Sequence, residues 1–508
     1  MLANNPVPSM EMPVHNSTRM SRPIAAATSI MALLFALSAC TSGASTVAPS
    51  AVANATPAQS GAAGTGSGPS ANTAASWDAC KAYSGATLNF IGEATTQTDV
   101  LKQLAPDFTD KTGINVNIDQ APYDNVVQKL VLDFTTHKAG YDIFSMPYEY
   151  LGSFVENGYI RPIDDSLSSG KLAVPGFDQT DIVPAMWTAA SKWKDHVYGM
   201  PSESPVMMMF YRKDLFSNVT EQAAFKAKYG YDLAPAQNWQ QYRDTGEFFT
   251  RKAGDKLAGQ TLTQPFYGIA LAGKRHIATT LEWFNYMWTM GGGLFDASGN
   301  LSANSAANVK ALQYMVDLTN FAPPGYTTYT WDEVTSAFEQ GTVAQAITWG
   351  DTAGAVEDPK QSQVSSKMGY SSIPVDTAVN KVVAHYGGWQ YGINKDSKNQ
   401  DAAFCFMEWA TTKGIQTKIA EGGGLPSLTS VFQDATLAAA KPYWSQELKS
   451  LSESVSRPRI PQWGGINDAM MLELSKALSK ESTPQQALDA ANAALQNLMK
   501  TALPITYQ

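Results

Sequence analysis

Charge is scarce in this chain. Lys, Arg, Asp and Glu make up 16% of its 508 residues, against about a quarter in ordinary soluble domains. No block of Lys/Arg occurs, and the formal net charge is −9. A sequence-independent grip on nucleic acid needs clustered cations facing phosphates, so that function is excluded. No run of about twenty apolar residues occurs, which excludes a polytopic membrane protein. The five histidines (His15, His137, His196, His276 and His385) never fall at metal-ligand spacing, and no His-Glu-x-x-His is present. There is no Gly-x-Ser-x-Gly elbow and no Walker-type phosphate loop. No metal or cofactor is therefore expected. An enzyme built from this sequence would have to work with carboxylates alone, as glycosidases do.

Aromatic and aliphatic residues, by contrast, are abundant. The chain is 44% hydrophobic, with 12 Trp, 21 Tyr and 20 Phe. That is ample for a core, excludes a disordered chain, and fits two to four domains by length. At the N-terminus, Arg19 and Arg22 precede an apolar run from Ile24 to Ala39. The run suits a signal peptide over residues 1–39. It ends in Leu37-Ser38-Ala39-Cys40, which resembles a bacterial lipobox with Cys40 as the lipidated residue. The plain alternative is a secretory signal followed by a chance cysteine, and Met20 is a second candidate start. From Thr41 to Ser76 there is no charge and almost no large apolar side chain. Such a segment cannot offset its chain entropy, so residues 40–76 read as a tether with a reach of roughly 30 Å. Removing Glu11, Arg19 and Arg22 from 36 Lys+Arg and 45 Asp+Glu leaves 34 and 44, a net charge of −10 for the body that follows.

That body, residues 77–508, alternates strands and helices. Thr87–Ile91 reads as an apolar strand. Leu101, Leu104 and Phe108 mark a helix over Thr98–Thr112, which Gly113 ends. Ile114, Val116 and Ile118 alternate as a strand, Tyr123–Thr136 carries one apolar helical face, and Tyr141–Ser145 is a buried strand. Trp239–Arg251, Ile277–Met290, Asp332–Gln340, Ala402–Lys413 and Thr483–Lys500 read as helices, and Val343–Thr348 and the Met207-Met208-Met209 run as buried strands. The alternation predicts an α/β fold with largely parallel sheets wrapped by helices. Cys80 and Cys405 are far apart in sequence but share an oxidising compartment, where they can pair. The alternative is that Cys405 is a buried free thiol in an apolar helix.

Several short patterns occur in order. They are Phe108-x-x-Lys111-Thr112-Gly113-Ile114; Gly140-Tyr141-Asp142-Ile143-Phe144; Phe154-x-x-Asn157-Gly158-Tyr159-Ile160-x-Pro162-Ile163-Asp164; Tyr198-Gly199-Met200-Pro201 with Phe210-Tyr211-Arg212-Lys213-Asp214-Leu215-Phe216; Phe338-Glu339-Gln340-Gly341-Thr342-Val343-Ala344; and Tyr386-Gly387-Gly388-Trp389-Gln390-Tyr391-Gly392-Ile393. With the final helix around Ala487–Ala490, this order resembles the extracellular solute-binding proteins of ABC importers, in the carbohydrate- and polyol-binding group. The resemblance implies a two-lobed periplasmic-binding-protein-like fold of type II, with hinge crossings and a ligand cleft between the lobes. It maps the first lobe to about 86–195 and 330–384, and the second to about 202–322 and 388–456. Helices in 457–508 should lie across both.

The resemblance further implies a small carbohydrate or polyol as ligand, permease subunits of an ABC transporter as partners, and a monomeric receptor lipid-anchored outside the cytoplasm. Hydroxyl-rich ligands want carboxylates to bond them and flat rings to cover their apolar faces. The expected ligand contacts are Glu93 after the first strand, Tyr148 or Glu149 after the third, and Glu203 just past the first crossing. Trp349 and Asp351 at the end of the return strand, and Gly388 and Trp389 at the second crossing, complete the set. Trp283 is a further candidate, although a tryptophan in an aromatic helix more often packs a core. The competing expectation is an anchored carbohydrate-active enzyme with a carboxylate pair drawn from Glu93, Glu203 and Asp351.

Overall fold

The structure is a computed structural model and describes residues 75–505. The export signal, Cys40 and nearly all of the tether lie outside the described residues. Two sheets form the frame. In chain order the strands longer than two residues are β1 (Thr87–Glu93), β2 (Asn115–Ala121), β3 (Ile143–Pro147), β4 (Gly199–Glu203), β5 (Met207–Arg212), β6 (Tyr267–Ala270), β7 (Val343–Trp349), β8 (Met368–Ser371), β9 (Ala384–Tyr386), β10 (Trp389–Ile393) and β11 (Ser454–Ser456). The first sheet runs β2-β1-β3-β10-β4 and the second β6-β7-β5-β8, while β9 and β11 pair as a ribbon. β1 is parallel to β2 and β3, and β10 is antiparallel to β3 and β4. β7 is parallel to β6 and antiparallel to β5.

The helices that matter for the site are α1 (Thr96–Thr112), α2 (Tyr123–Thr136), α3 (Trp239–Phe249), α4 (Ile277–Thr289), α5 (Ala306–Leu318), α6 (Trp331–Glu339), α7 (Gln400–Ala410), α8 (Trp444–Ser452), α9 (Trp463–Leu478) and α10 (Pro484–Leu498). Their ends follow local chemistry. Thr95 caps α1 by accepting from Thr98 N–H, and Gly113, at φ +75°, closes it in the left-handed region that glycine adopts without strain. Thr330 and Glu333 form a capping box at the start of α6. Thr483 and Gln486 form another on α10, with Pro484 in its first turn.

The first sheet, α1, α2 and α7 make one lobe; β5–β9 and α3–α6 make the other. This corrects the expected lobe boundaries. Residues 330–384 were expected in the first lobe, but β7 and β8 flank the methionine strand β5 in the second sheet. The segment from Gly388 was expected in the second lobe, but β10 inserts between β3 and β4. The reason is that the chain first crosses between Glu203 and Met207, stays in the second lobe until Gly387–Gly388 takes it back, and returns later through α8, which packs on β5 and β9, to the β9–β11 ribbon. Local pattern shows that a strand is buried but not which strand it pairs with, and register is a non-local property. The tail helices α9 and α10 pack on each other and on α4 and α5, with α9 also touching the turn at Tyr148–Tyr150. A Cys80–Cys405 disulfide ties the short helix Asp78–Lys81 to α7. Both cysteines are buried in the first-lobe core that also holds Leu88, Phe108 and Phe406.

Candidate functional site

The carboxyl ends of β1, β3, β4 and β7 converge where the chain crosses between the lobes, the place where open α/β sheets carry ligands. A cavity of about 50 Å³ lies there. Four aromatic rings wall it: Tyr123, Trp331, Trp349 and Trp389. Tyr123 and Trp331 are the first residues of α2 and α6, one from each lobe. Their ring centroids are 5.7 Å apart at 74°, and Tyr123 meets Trp389 at 5.7 Å and 90°. These edge-to-face contacts set neighbouring walls nearly perpendicular. Gly387 belongs to the same wall. A Cβ there would come within 2.4 Å of the Trp349 ring, so the second crossing needs glycine for this close approach.

The polar lining is Glu93, Asp351, Thr352 and Arg457, beside the Tyr123 ring. Burial, followed by the charge of Asp351, pushes the Glu93 carboxyl well above the usual range. Burial raises Asp351 from 3.8 to about 6. Glu203 ends β4 opposite Trp389 and is likewise held high, first by burial and then by Asp351 and Glu93. Arg457 pairs with Glu149 and not with any of these acids, so each loses solvation without a compensating ion pair. Arg457 is only 3% exposed. Its Nη2 lies 3.3 Å from Glu149 Oε2, and its guanidinium stands 5.2 Å from the Tyr148 ring centroid.

The expected contacts therefore divide. Glu93, Trp349, Asp351 and Trp389 line the cavity together. Tyr148 and Glu149 do not, and both are fully buried. The Tyr148 hydroxyl donates to Tyr386 O at 3.1 Å and accepts from Arg457 N–H at 2.8 Å. Glu149 Oε1 accepts from the Tyr123 hydroxyl at 2.7 Å. The two residues thus hold Arg457 and Tyr123 in place. Glu203 lies beside the cavity rather than on its lining. At Gly388 a Cβ would stand 1.8 Å from the Tyr386 hydroxyl, so the glycine accommodates Tyr386. Trp283 is fully buried on α4 against Phe284 and is a core residue. Sequence reasoning missed Tyr123, Trp331 and Arg457. A signal existed for Tyr123, which opens the helix that follows strand β2; Trp331 opens a helix preceded by α5 and an irregular segment, and Arg457 stands out only as a cation in the Arg457-Pro458-Arg459 step.

The lobes touch across the mouth of this cavity. Asp124 of α2 lies 3.4 Å from His276, the cap of α4, and Tyr123 meets Trp331. Among the described residues no group of three or more His, Cys, Asp or Glu is arranged to hold a metal ion. No helix among them is long and apolar enough to cross a membrane.

Two α/β lobes joined by short crossings, with a walled cavity at the strand ends, define a two-lobed binding protein. The chain belongs to the bacterial extracellular solute-binding protein family, whose model matches residues 94–417. It is 28% identical to an ABC transporter solute-binding protein from Agrobacterium radiobacter K84 solved in complex with ribitol. That match has a TM-score of 0.73 and covers 82% of this chain and 99% of the other. A mannitol-binding protein of Pseudomonas aeruginosa is 25% identical over 407 residues, 75% of this chain and 85% of the relative. A protein of Sinorhizobium fredii, named a probable amino-acid ABC transporter periplasmic-binding protein, is 25% identical over 422 residues, 83% of this chain and 91% of the relative. The family and these relatives are substrate-binding transport proteins.

Proposed function

We propose that this ABC-transporter solute-binding protein captures a sugar or sugar alcohol between its lobes and hands it unchanged to permease subunits. One observation carries the reading: four aromatic walls and two carboxyl groups without an ion pair, Glu93 and Asp351, face one cavity between the lobes. Rings cover C–H faces, and protonated or ionised carboxyls bond hydroxyls in either direction. An α-amino acid would also need a cation for its carboxylate. The single cation among the lining residues, Arg457, is already held by Glu149. The carboxylates act as ligand contacts and not as a hydrolytic pair, and Cys40 carries the lipid that anchors the receptor outside the cytoplasm.

A thermal-shift panel of alditols, hexoses, disaccharides and amino acids tests the ligand class, because a ligand that binds only the folded state raises its melting temperature with saturation. A polyhydroxy compound should give the largest shift. A shift confined to amino acids would contradict the reading. Anchoring is checked separately: Cys40→Ser should move the protein from the membrane to the soluble fraction, and continued retention would contradict lipidation.

A further inference from the structure

The cavity between the lobes, the front cavity, has walls of one kind and unpaired charge of one sign. Tyr123, Trp331, Trp349 and Trp389 enclose it, and Glu93 and Asp351 open into it. The rings come from four separate elements, α2, α6, the end of β7 and the start of β10. Tyr123 stands at 74° to Trp331 and at 90° to Trp389, so the walls turn around the space instead of lying along one side of it. That space is about 50 Å³, and an occupant touches several walls at once.

The carboxyl groups there are unspent. Glu93 is only part-buried at the end of β1, and its side chain makes no hydrogen bond or ion pair among the described residues. Asp351 Oδ1 is buried without a hydrogen-bond partner. Glu203, beside the cavity and 6% exposed, has no side-chain partner either. The charges that act on Glu93 are the carboxylates of Asp351, Asp332, Glu149 and Asp124, and each pushes it further up. The lining cation, Arg457, is taken by Glu149 at 3.3 Å.

The rear of the same hinge shows the opposite. A cavity of about 810 Å³ lies beyond Arg457, between segment 184–194 and residues 454–462, with Pro184, Ala185 and Ile460 among its apolar walls. Its lining cations, Lys194, Arg457 and Arg459, are all matched from within the chain. Lys194 donates to Glu156 at 2.6 Å, and Arg459 donates to the carbonyl oxygens of Ala189 at 2.9 Å and Lys192 at 2.7 Å. The chain thus supplies partners for its rear cations and none for its front acids. Buried charge is tolerated when it is paired, and the face of a tryptophan or tyrosine ring attracts a cation through its quadrupole. Rings and acids around one space therefore favour the same occupant, a positive group. A neutral polyol would use the rings and leave the acids without a counter-charge.

We infer that the front cavity selects a polyhydroxy compound bearing a protonated amine, an amino alditol or amino sugar, whose ammonium group sits among the four rings and pairs with Glu93 and Asp351. This rests on the proposed capture of a polyhydroxy ligand and adds its charge. An α-amino acid does not match, because its carboxylate would meet the same acids.

The test is isothermal titration of the mature protein at pH 7 with two matched pairs, 1-amino-1-deoxy-D-glucitol against D-glucitol and D-glucosamine against D-glucose. Tetramethylammonium serves as a cation without hydroxyls. In at least one pair the amine should bind at least tenfold tighter than its neutral partner, and tighter than tetramethylammonium. No binding by either amine, or an advantage below tenfold in both pairs, overturns the inference; neutral compounds that still bind leave the polyhydroxy reading standing. Tetramethylammonium binding as tightly as the amines overturns the polyhydroxy reading and keeps the charge. Glu93→Gln and Asp351→Asn preserve shape and remove charge. Each should cut the ratio of amine to neutral affinity at least fivefold. A purely structural role would lower both affinities together, so an unchanged ratio in both variants overturns the pairing.

Discussion

The front and rear cavities meet at Arg457 yet are built oppositely. The front one is small, walled by four rings, and supplied with acids that form no ion pair. The rear one is large, walled by proline, alanine and isoleucine, and supplied with cations. The front geometry is set by strand ends and helix starts, elements held by sheet register and capping. The rear one is set by crossings and connecting segments. The difference teaches that one hinge presents two chemistries, with a single guanidinium between them.

The largest expected effect breaks the front side. Trp389→Ala should weaken ligand binding by about 100-fold, or roughly 2.7 kcal/mol, because a buried ring in an edge-to-face set is the kind of residue that dominates a binding site. Because Trp389 is itself 94% buried, a loss of melting temperature will accompany it. Trp331→Ala separates the two effects: its ring is only partly buried, so affinity should fall at least tenfold with a smaller change in melting temperature. Calorimetric titration beside a thermal melt checks both.

A change far from both cavities sharpens the contrast. Replacing Cys80 and Cys405 together by serine should cost about 2–4 kcal/mol of stability, measured by denaturant unfolding. Ligand affinity should be retained.

The acids give a pH signature specific to the front. Asp351 titrates near 3.8 when free and at about 6 in place, because burial disfavours its charged form. A carboxyl raised on folding favours the folded state fully below about 3.8, and that contribution is lost as pH rises through about 6. Glu93 and Glu203 shift the same way. The melting temperature of the unliganded protein should therefore fall between pH 4 and pH 7, and Asp351→Asn should flatten the fall. A melting temperature that rises over that window would contradict the account.

The smallest effect concerns the mouth. His276 holds the Asp124 carboxyl below its usual range, chiefly through their hydrogen bond. Asp124→Asn should loosen closure and raise the ligand dissociation rate a few-fold in stopped-flow fluorescence.

Much of this architecture was legible in the sequence. The apolar face from Val126 to Phe134 marks α2 over the same residues, Tyr123–Thr136, that the structure gives it. The Val343–Thr348 run is the buried β7, and Glu93, Trp349, Asp351 and Trp389 do meet at one cavity. Lobe membership of 330–384 was not legible, because pairing of β7 with β5 is a contact between segments more than a hundred residues apart. Tyr123 and Trp331 escaped notice because helix-opening aromatics look, in one dimension, like any residue on an amphipathic face. Tyr148, Glu149 and Trp283 were placed at the ligand because residue type and strand end suggest contact, whereas their burial depends on packing from Arg457, Tyr386 and Phe284.

The central claim is that the front cavity captures a polyhydroxy ligand without chemistry. Titrating the mature protein with alditols and sugars, while following tryptophan fluorescence and then recovering the ligand for chromatography, tests it most directly. The account predicts a saturable fluorescence change for at least one such compound, abolished in Trp389→Ala, with the ligand recovered intact. A converted product, or a fluorescence change that Trp389→Ala leaves untouched, would contradict it.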